Sequence, residues 1–226
     1  MRKAGLILSF LLGALLAFAD SQIKQKAEEL YAKNQLTDAK PLLEQAISEN
    51  PMDVDLYLQL GTVNQIQKNY DKAIEILKKG LLIAKDNKAE FYYDIGNNYW
   101  LQGKFSFAEE MYTNAIGADG SYSLAYLDRA NVRMELESYE GAAADYTIYL
   151  QLRPQDPQRP QIEALLAALQ KMQDAIAQKK QDEEAKQKSL MNDVLNSLNN
   201  ASSDTKNLSV ESLQFKKETE DVDIED

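Results

Sequence analysis

Apolar and small residues return along this chain at two spacings, one nested inside the other. From Tyr57 they fall at i, i+3, i+4 and i+7 through Leu60, Gly61 and Asn64, and after a polar break they do so again through Tyr70, Ala73, Ile74 and Leu77. That is the stripe of an α-helix packed along one side, so residues 57–80 predict two helices joined by the short break Gln67-Lys68-Asn69. The skeleton recurs in 92–115 and 126–149, where the breaks read QGK and LES. Each stretch is therefore expected to be a helical hairpin.

The second spacing is the repeat itself. Gly61, Gly96 and Ala130 mark the first helices at two nearly equal intervals, the first longer by a single position. Ala73, Ala108 and Ala142 mark the second helices at the same two intervals. The extra residue must then lie between Gly80 and Tyr92, in a connection, where insertions are tolerated. A fainter copy precedes these three: Ala27, Leu36, Ala39, Leu43 and Ala46 stand one period before Gly61, Tyr70, Ala73, Leu77 and Gly80. Small residues at Gly61 and Ala73 allow two helices to cross closely, since a larger side chain there would hold the backbones apart. A period of this length means stacked units that bury a continuous core only together.

These residues resemble the tetratricopeptide repeat family, whose unit of about 34 residues carries an aromatic and then Leu-Gly on the first helix, Ala and then an aromatic and Ala on the second, and a closing Pro. The matching places hold Tyr57, Leu60, Gly61, Tyr70, Ala73 and Gly80; Tyr92, Ile95, Gly96, Tyr99, Phe105, Ala108, Tyr112 and Ala115; and Tyr126, Ala130, Tyr139, Ala142, Tyr146 and Pro154. Arg129 stands where Leu or Ile is usual, Tyr149 replaces the last small residue, and Gly120 replaces a closing Pro. The resemblance implies an all-α, right-handed α-solenoid of about four hairpins over residues 20–155, divided as 20–53, 54–88, 89–122 and 123–155. It leaves function open, because one fold serves many partners.

Beyond the prolines of 153–160, Ile162, Leu165, Leu166, Leu169, Met172 and Ile176 form another apolar stripe, expected to cap the array. A further short helix is expected around Leu190, Met191, Val194, Leu195 and Leu198, which gives 156–200 as capping helix and helical extension. The polar, terminally acidic stretch 201–226 reads as a disordered tail. Residues 1–19 place Arg2 and Lys3 before an apolar run and end in Ala17-Phe18-Ala19, the order of a secretory signal peptide cleaved between Ala19 and Asp20. A periplasmic or secreted location follows as an expectation, with no stable membrane insertion after cleavage.

Composition narrows the chemistry. Cysteine and histidine are absent, which removes disulfides, thiolate or imidazole metal ligands, and the usual proton shuttles. Paired acids such as Asp53/Asp55 and Glu109/Glu110 fall at a helix start and along a helix, where dipole and solvent account for them. The reading is a non-enzyme with no cofactor and no metal. Removing Arg2 and Lys3 takes the 25 basic residues to 23 against 36 acidic ones, a net charge of −13, so nucleic acid is a poor partner.

One face of the first helices has no part in the repeat core. On the middle unit it carries Tyr93, Asn97, Trp100 and Leu101, about 130° from the core face at 100° per residue. Its neighbours supply Leu58, Thr62, Gln65 and Ile66, then Leu127, Asn131, Met134 and Glu135. In the family that this chain resembles, the corresponding face lines the inner groove. The groove residues are thus expected to be Leu58, Thr62, Tyr93, Asn97, Trp100, Leu127, Asn131 and Met134. Asn97 and Asn131 offer a donor and an acceptor each to the main chain of an extended peptide. Lys24 with Glu28, Glu90, Asp94, Asp128 and Glu135 makes the groove acidic, suited to a neutral or partly basic apolar peptide.

The same positions also suit contact with the C-terminal cap or a distant repeat. The function expected is an exported scaffold for protein or peptide partners in the cell envelope. The alternatives are an envelope assembly component docking through its convex face or tail, and a carrier of small ligands.

Overall fold

The computed structural model describes residues 22–220, and the expected leader at 1–19 lies outside them. Nine helices occur among the described residues: α1 (22–32), α2 (Leu36–Glu49), α3 (Val54–Ile66), α4 (Tyr70–Ile83), α5 (Lys88–Leu101), α6 (Phe105–Ala118), α7 (Ser123–Glu135), α8 (Tyr139–Leu152) and α9 (Arg159–Glu220). They divide between two compact units, with the boundary between Leu166 and Ala167. The first unit holds four hairpins, α1/α2 to α7/α8, stacked as a solenoid as the repeat requires. None of the helices among the described residues is long and apolar enough to cross a membrane.

Every hairpin turns in the same way. Asn34, Lys68, Gly103 and Glu137 have φ of 58°, 61°, 71° and 56°, the left-handed region. The next residue closes the loop back onto the helix: Gln35 N–H to Leu30 O at 2.9 Å, Asn69 to Asn64 at 2.8 Å, Lys104 to Tyr99 at 2.9 Å and Ser138 to Arg133 at 2.8 Å. This is a Schellman ending, which satisfies carbonyls that the helix terminus leaves without partners. Gly103 takes the conformation without strain, whereas the three residues with a Cβ adopt it at a cost that the packed hairpin outweighs. The faint first unit, irregular in sequence, thus has the turn of the other three.

The helices of a hairpin cross where the small residues stand. A Cβ on Gly61 would lie 2.6 Å from Leu77 Cδ2, and one on Gly96 would lie 2.7 Å from Tyr112 Cε1. Both distances are too short for real atoms, so the close approach depends on glycine. Core residues run from hairpin to hairpin: Ala27, Leu43, Leu56, Leu60, Leu77, Phe91 and Ile95, then Ala108, Tyr112, Ala125 and Val132, then Ala130, Ala142, Tyr146 and Ile162. Ile162 opens α9 and closes the array, with Leu165 and Leu166 partly buried beside it.

The departures from the repeat pattern have physical reasons. Arg129, placed where an apolar residue is usual, donates from Nε and Nη2 to both carboxylate oxygens of Asp145 at 2.8 and 2.7 Å. Arg133 adds Nη1 to Asp145 at 2.8 Å and Nε to Glu109 at 2.7 Å. Asp145 is 1% exposed, and a carboxylate that deep requires such a full set of charged donors. Tyr149 points its hydroxyl to Asp156 Oδ2 at 2.6 Å. At Gly120 the backbone oxygen receives Tyr126 OH at 3.2 Å, just as Pro51 O receives Tyr57 OH at 3.0 Å.

The C-terminal part differs from the sequence expectation. One helix, α9, replaces a cap followed by a short extension, and it continues through 201–220, where composition suggests a disordered tail; 221–226 lie outside the described residues. That stretch is polar, but no Gly or Pro occurs after Pro160, so nothing in the backbone stops the helix.

Asn98, like Glu49 and Gln59, has a buried side-chain oxygen without a partner among the described residues, although its Nδ2 donates to Asp94 O at 2.8 Å. Asn98 is 1% exposed, while the repeat-equivalent residues Val63 and Val132 are apolar and fully buried. Removing an unsatisfied buried oxygen recovers roughly 1 kcal/mol or more. Asn98→Val should raise the melting temperature by ~2–4 °C in a calorimetric scan; a fall would mean that the hydrogen bonds of the amide, including Nδ2 to Asp94 O, outweigh the cost of its unpaired oxygen.

Candidate functional site

The first helices α3, α5 and α7 lie in succession, and their non-core faces meet at a cleft of about 270 Å³. Gln65 of α3, Asn97, Trp100 and Leu101 of α5, Tyr112 of α6, and Asp128 and Asn131 of α7 form its wall. Of the groove residues expected from the sequence, Asn97, Trp100 and Asn131 are brought together here. The others have different surroundings. Leu58 packs on the core of the first two hairpins, and Leu127 and Met134 pack on that of the last. Thr62 Oγ1 donates to Leu58 O of its own helix at 3.0 Å. Tyr93 acts behind the wall, through Asp128.

The two asparagines are set in the same way. Tyr112 OH donates to Asn97 Oδ1 at 2.8 Å, and Tyr146 OH donates to Asn131 Oδ1 at 2.7 Å. The acceptor of each amide is therefore engaged inside its own hairpin, which leaves its NH₂ as the group with hydrogens to offer. Asn131 Nδ2 has only a long contact of 3.4 Å to Asp128 Oδ1. Sequence reasoning assigns Tyr112 to the core alone. A signal for more is present: Tyr112 and Tyr146 place hydroxyls at one repeat position of the second helix, opposite the paired asparagines of the first, whereas the earlier unit sets Leu77 against Thr62.

The electrostatics of the face are one-sided. Asp128 Oδ2 accepts from Tyr93 OH at 2.7 Å, and no cation pairs with Asp128 among the described ion pairs. Burial raises its pKa, and the hydrogen bonds from Tyr93 and Asn131 oppose the rise. Burial also lifts the Tyr93 phenol well above its usual range, with Asp128 adding to the effect. Asp94 occupies the same place one repeat earlier. There the residue corresponding to Tyr93 is Leu58, which has no hydroxyl to donate. Burial, and then the charge of Glu90, push Asp94 up to about 7.

Lys24, the cation expected in the groove, is held by Asp53 at 2.5 Å and Glu28 at 3.6 Å. Trp100 is tilted against Phe105, ring centroids 5.0 Å apart, and is partly buried. Ile66 and Leu101 are 56% and 49% exposed on the same face. Among the described residues no group of His, Cys, Asp or Glu is placed to hold a metal ion.

Asp94 couples stability to pH. Its carboxyl ionises at about 7 in the fold against an ordinary value of 3.8, so between these values the folded chain keeps a proton that the unfolded chain has lost. Stability therefore falls as pH rises through that window. Asp94→Asn should raise the melting temperature by a few degrees at pH 8 and leave it nearly unchanged at pH 4; an equal effect at both pH values would show that charge is not the cause.

Known proteins match the repeats and the fold. Two family models described as tetratricopeptide repeat match residues 54–119 and 93–157. The Hsp70-Hsp90 organising protein of Plasmodium falciparum (isolate 3D7) is 29% identical over 126 residues, covering 51% of this chain and 22% of that protein. A crystal structure of a tetratricopeptide repeat protein from Parabacteroides merdae superimposes with a TM-score of 0.60 at 19% identity, over 69% of this chain and 61% of that one. The MamA protein gives a TM-score of 0.60 at 19% identity, over 70% and 86%. The chain spans about a fifth, 17% to 22%, of the curated relatives that it matches.

Proposed function

We propose that this tetratricopeptide-repeat array is a non-enzymatic adaptor that holds an extended segment of another protein along the non-core faces of α3, α5 and α7. The observation that carries the reading is the face itself. Ile66 and Leu101 stand exposed, and Leu101 borders a cleft lined by two asparagine amides whose oxygens are fixed by tyrosines. Apolar side chains of a bound segment would cover Ile66 and Leu101, and its carbonyls would meet the amides. A relative named as an organising protein for Hsp70 and Hsp90 supports a role in bringing proteins together.

The test is capture of partners from the native source by wild-type protein and by an Ile66→Glu/Leu101→Glu variant. Both positions are solvent-facing, so the variant should keep the wild-type circular dichroism and melting temperature while its partners are lost, as mass spectrometry of the retained proteins would show. Identical partner lists would remove the groove from the function. A second reading has its own support: Leu190, Met191, Val194, Leu195 and Leu198 of α9 are 47% to 65% exposed. If α9 is the docking element, Leu195→Asp/Leu198→Asp should lose the partners that the groove variant keeps.

The site of action proposed is outside the cytoplasm, as a periplasmic or secreted protein, on the strength of the leader pattern in residues 1–19. N-terminal sequencing of the protein from its host should begin at Asp20. A sequence beginning at Met1 would overturn export by cleavage.

A further inference from the structure

We propose that the cleft between α5 and α7 is a seat for one cationic side chain, a Lys or Arg of the bound segment, with its charge at Asp128 and its stem against Trp100. The inference rests on the groove reading above and specifies its partner.

Three features carry it. Among the described residues, Asp128 is the one charged group on the cleft wall. A carboxylate has about four acceptor positions, and only Tyr93 at 2.7 Å and Asn131 at the long distance of 3.4 Å use them. The remaining positions belong to a charge that the fold has part-buried without a counter-ion. The cations near Asp128 in sequence, Arg129 and Arg133, are engaged on Asp145 and Glu109, and Lys24, the cation expected in the groove, is held by Asp53.

The second feature is the rest of the wall. Trp100 presents aromatic surface within the same cleft, and an indole face attracts a cation while covering its methylene stem. The third is the field. Glu90 on α5, joined by Asp94 once the pH exceeds about 7, adds negative charge, and neither takes part in an ion pair among the described residues; such a surface repels an acidic segment as it attracts a basic one. The cleft, about 270 Å³, is of a size that suits one long side chain and not a folded element.

Trp100 is the chain's only tryptophan, so its fluorescence reports on this cleft alone. The probes are the N-acetyl methylamides of arginine, lysine, norleucine and glutamate, titrated into the full protein. Arginine and lysine should saturate the signal in the millimolar range, with norleucine and glutamate at least tenfold weaker. Asp128→Asn, which keeps the shape and can still meet Tyr93, should weaken the arginine probe tenfold or more. Norleucine binding as tightly as arginine, or Asp128→Asn leaving arginine binding unchanged, would overturn the seat. That result is separable from failure of the groove reading, which shows only in partner capture by the Ile66→Glu/Leu101→Glu variant.

Discussion

The structure depends on how near two helices can come within one hairpin. At Gly61 and Gly96 there is no room for a methyl group between the first helix and the Leu77 or Tyr112 side chain of the second. This contact sets the hairpin, and the hairpin sets the stack. It also explains how a core residue reaches the surface face. Tyr112 lies against Gly96, so its hydroxyl emerges one position further along the helix, at Asn97. Tyr146 repeats the reach across Ala130 to Asn131. Packing and the candidate site are therefore parts of one contact.

Charge is distributed on the same principle. Inside the last hairpin, Asp145 is almost fully enclosed but is met by two guanidinium groups, and its burial is compensated. On the first-helix face, Asp94 and Asp128 are less deeply buried and have no such partner. The fold thus places Arg129 and Arg133 where they hold hairpins together and leaves its groove-side carboxylates uncompensated. Elevated carboxylate pKa values mark sites that an incoming cation can stabilise.

Much of the fold was legible in the sequence because the repeat is written in small residues. Gly61, Gly96, Ala130, Ala73, Ala108 and Ala142 mark the period, the crossing points and the connection that carries the extra residue. The single helix beyond Pro160 was not legible, since polarity argues for disorder while the lack of Gly and Pro argues for continuity, and composition cannot rank the two. The site was legible in part. Helical periodicity finds the face and singles out Asn97, Trp100 and Asn131, but it places a residue by its angle alone. It could not tell that Leu58, Leu127 and Met134 would rest, partly buried, against the core clusters, or that the asparagine oxygens would be taken by tyrosines from a different helix.

The recurring turn at Asn34, Lys68, Gly103 and Glu137 has a consequence for how such a chain changes over time. Four chemically unrelated residues close the same loop, because the closure is made by backbone N–H and C=O groups. Nothing in the turn ties a hairpin to its own side chains. Duplication or loss of a whole repeat cassette would therefore preserve every turn and every crossing, and would alter only how many side chains line the face. Breadth of recognition in this architecture is inherited by copying units, and specificity is then adjusted residue by residue within them.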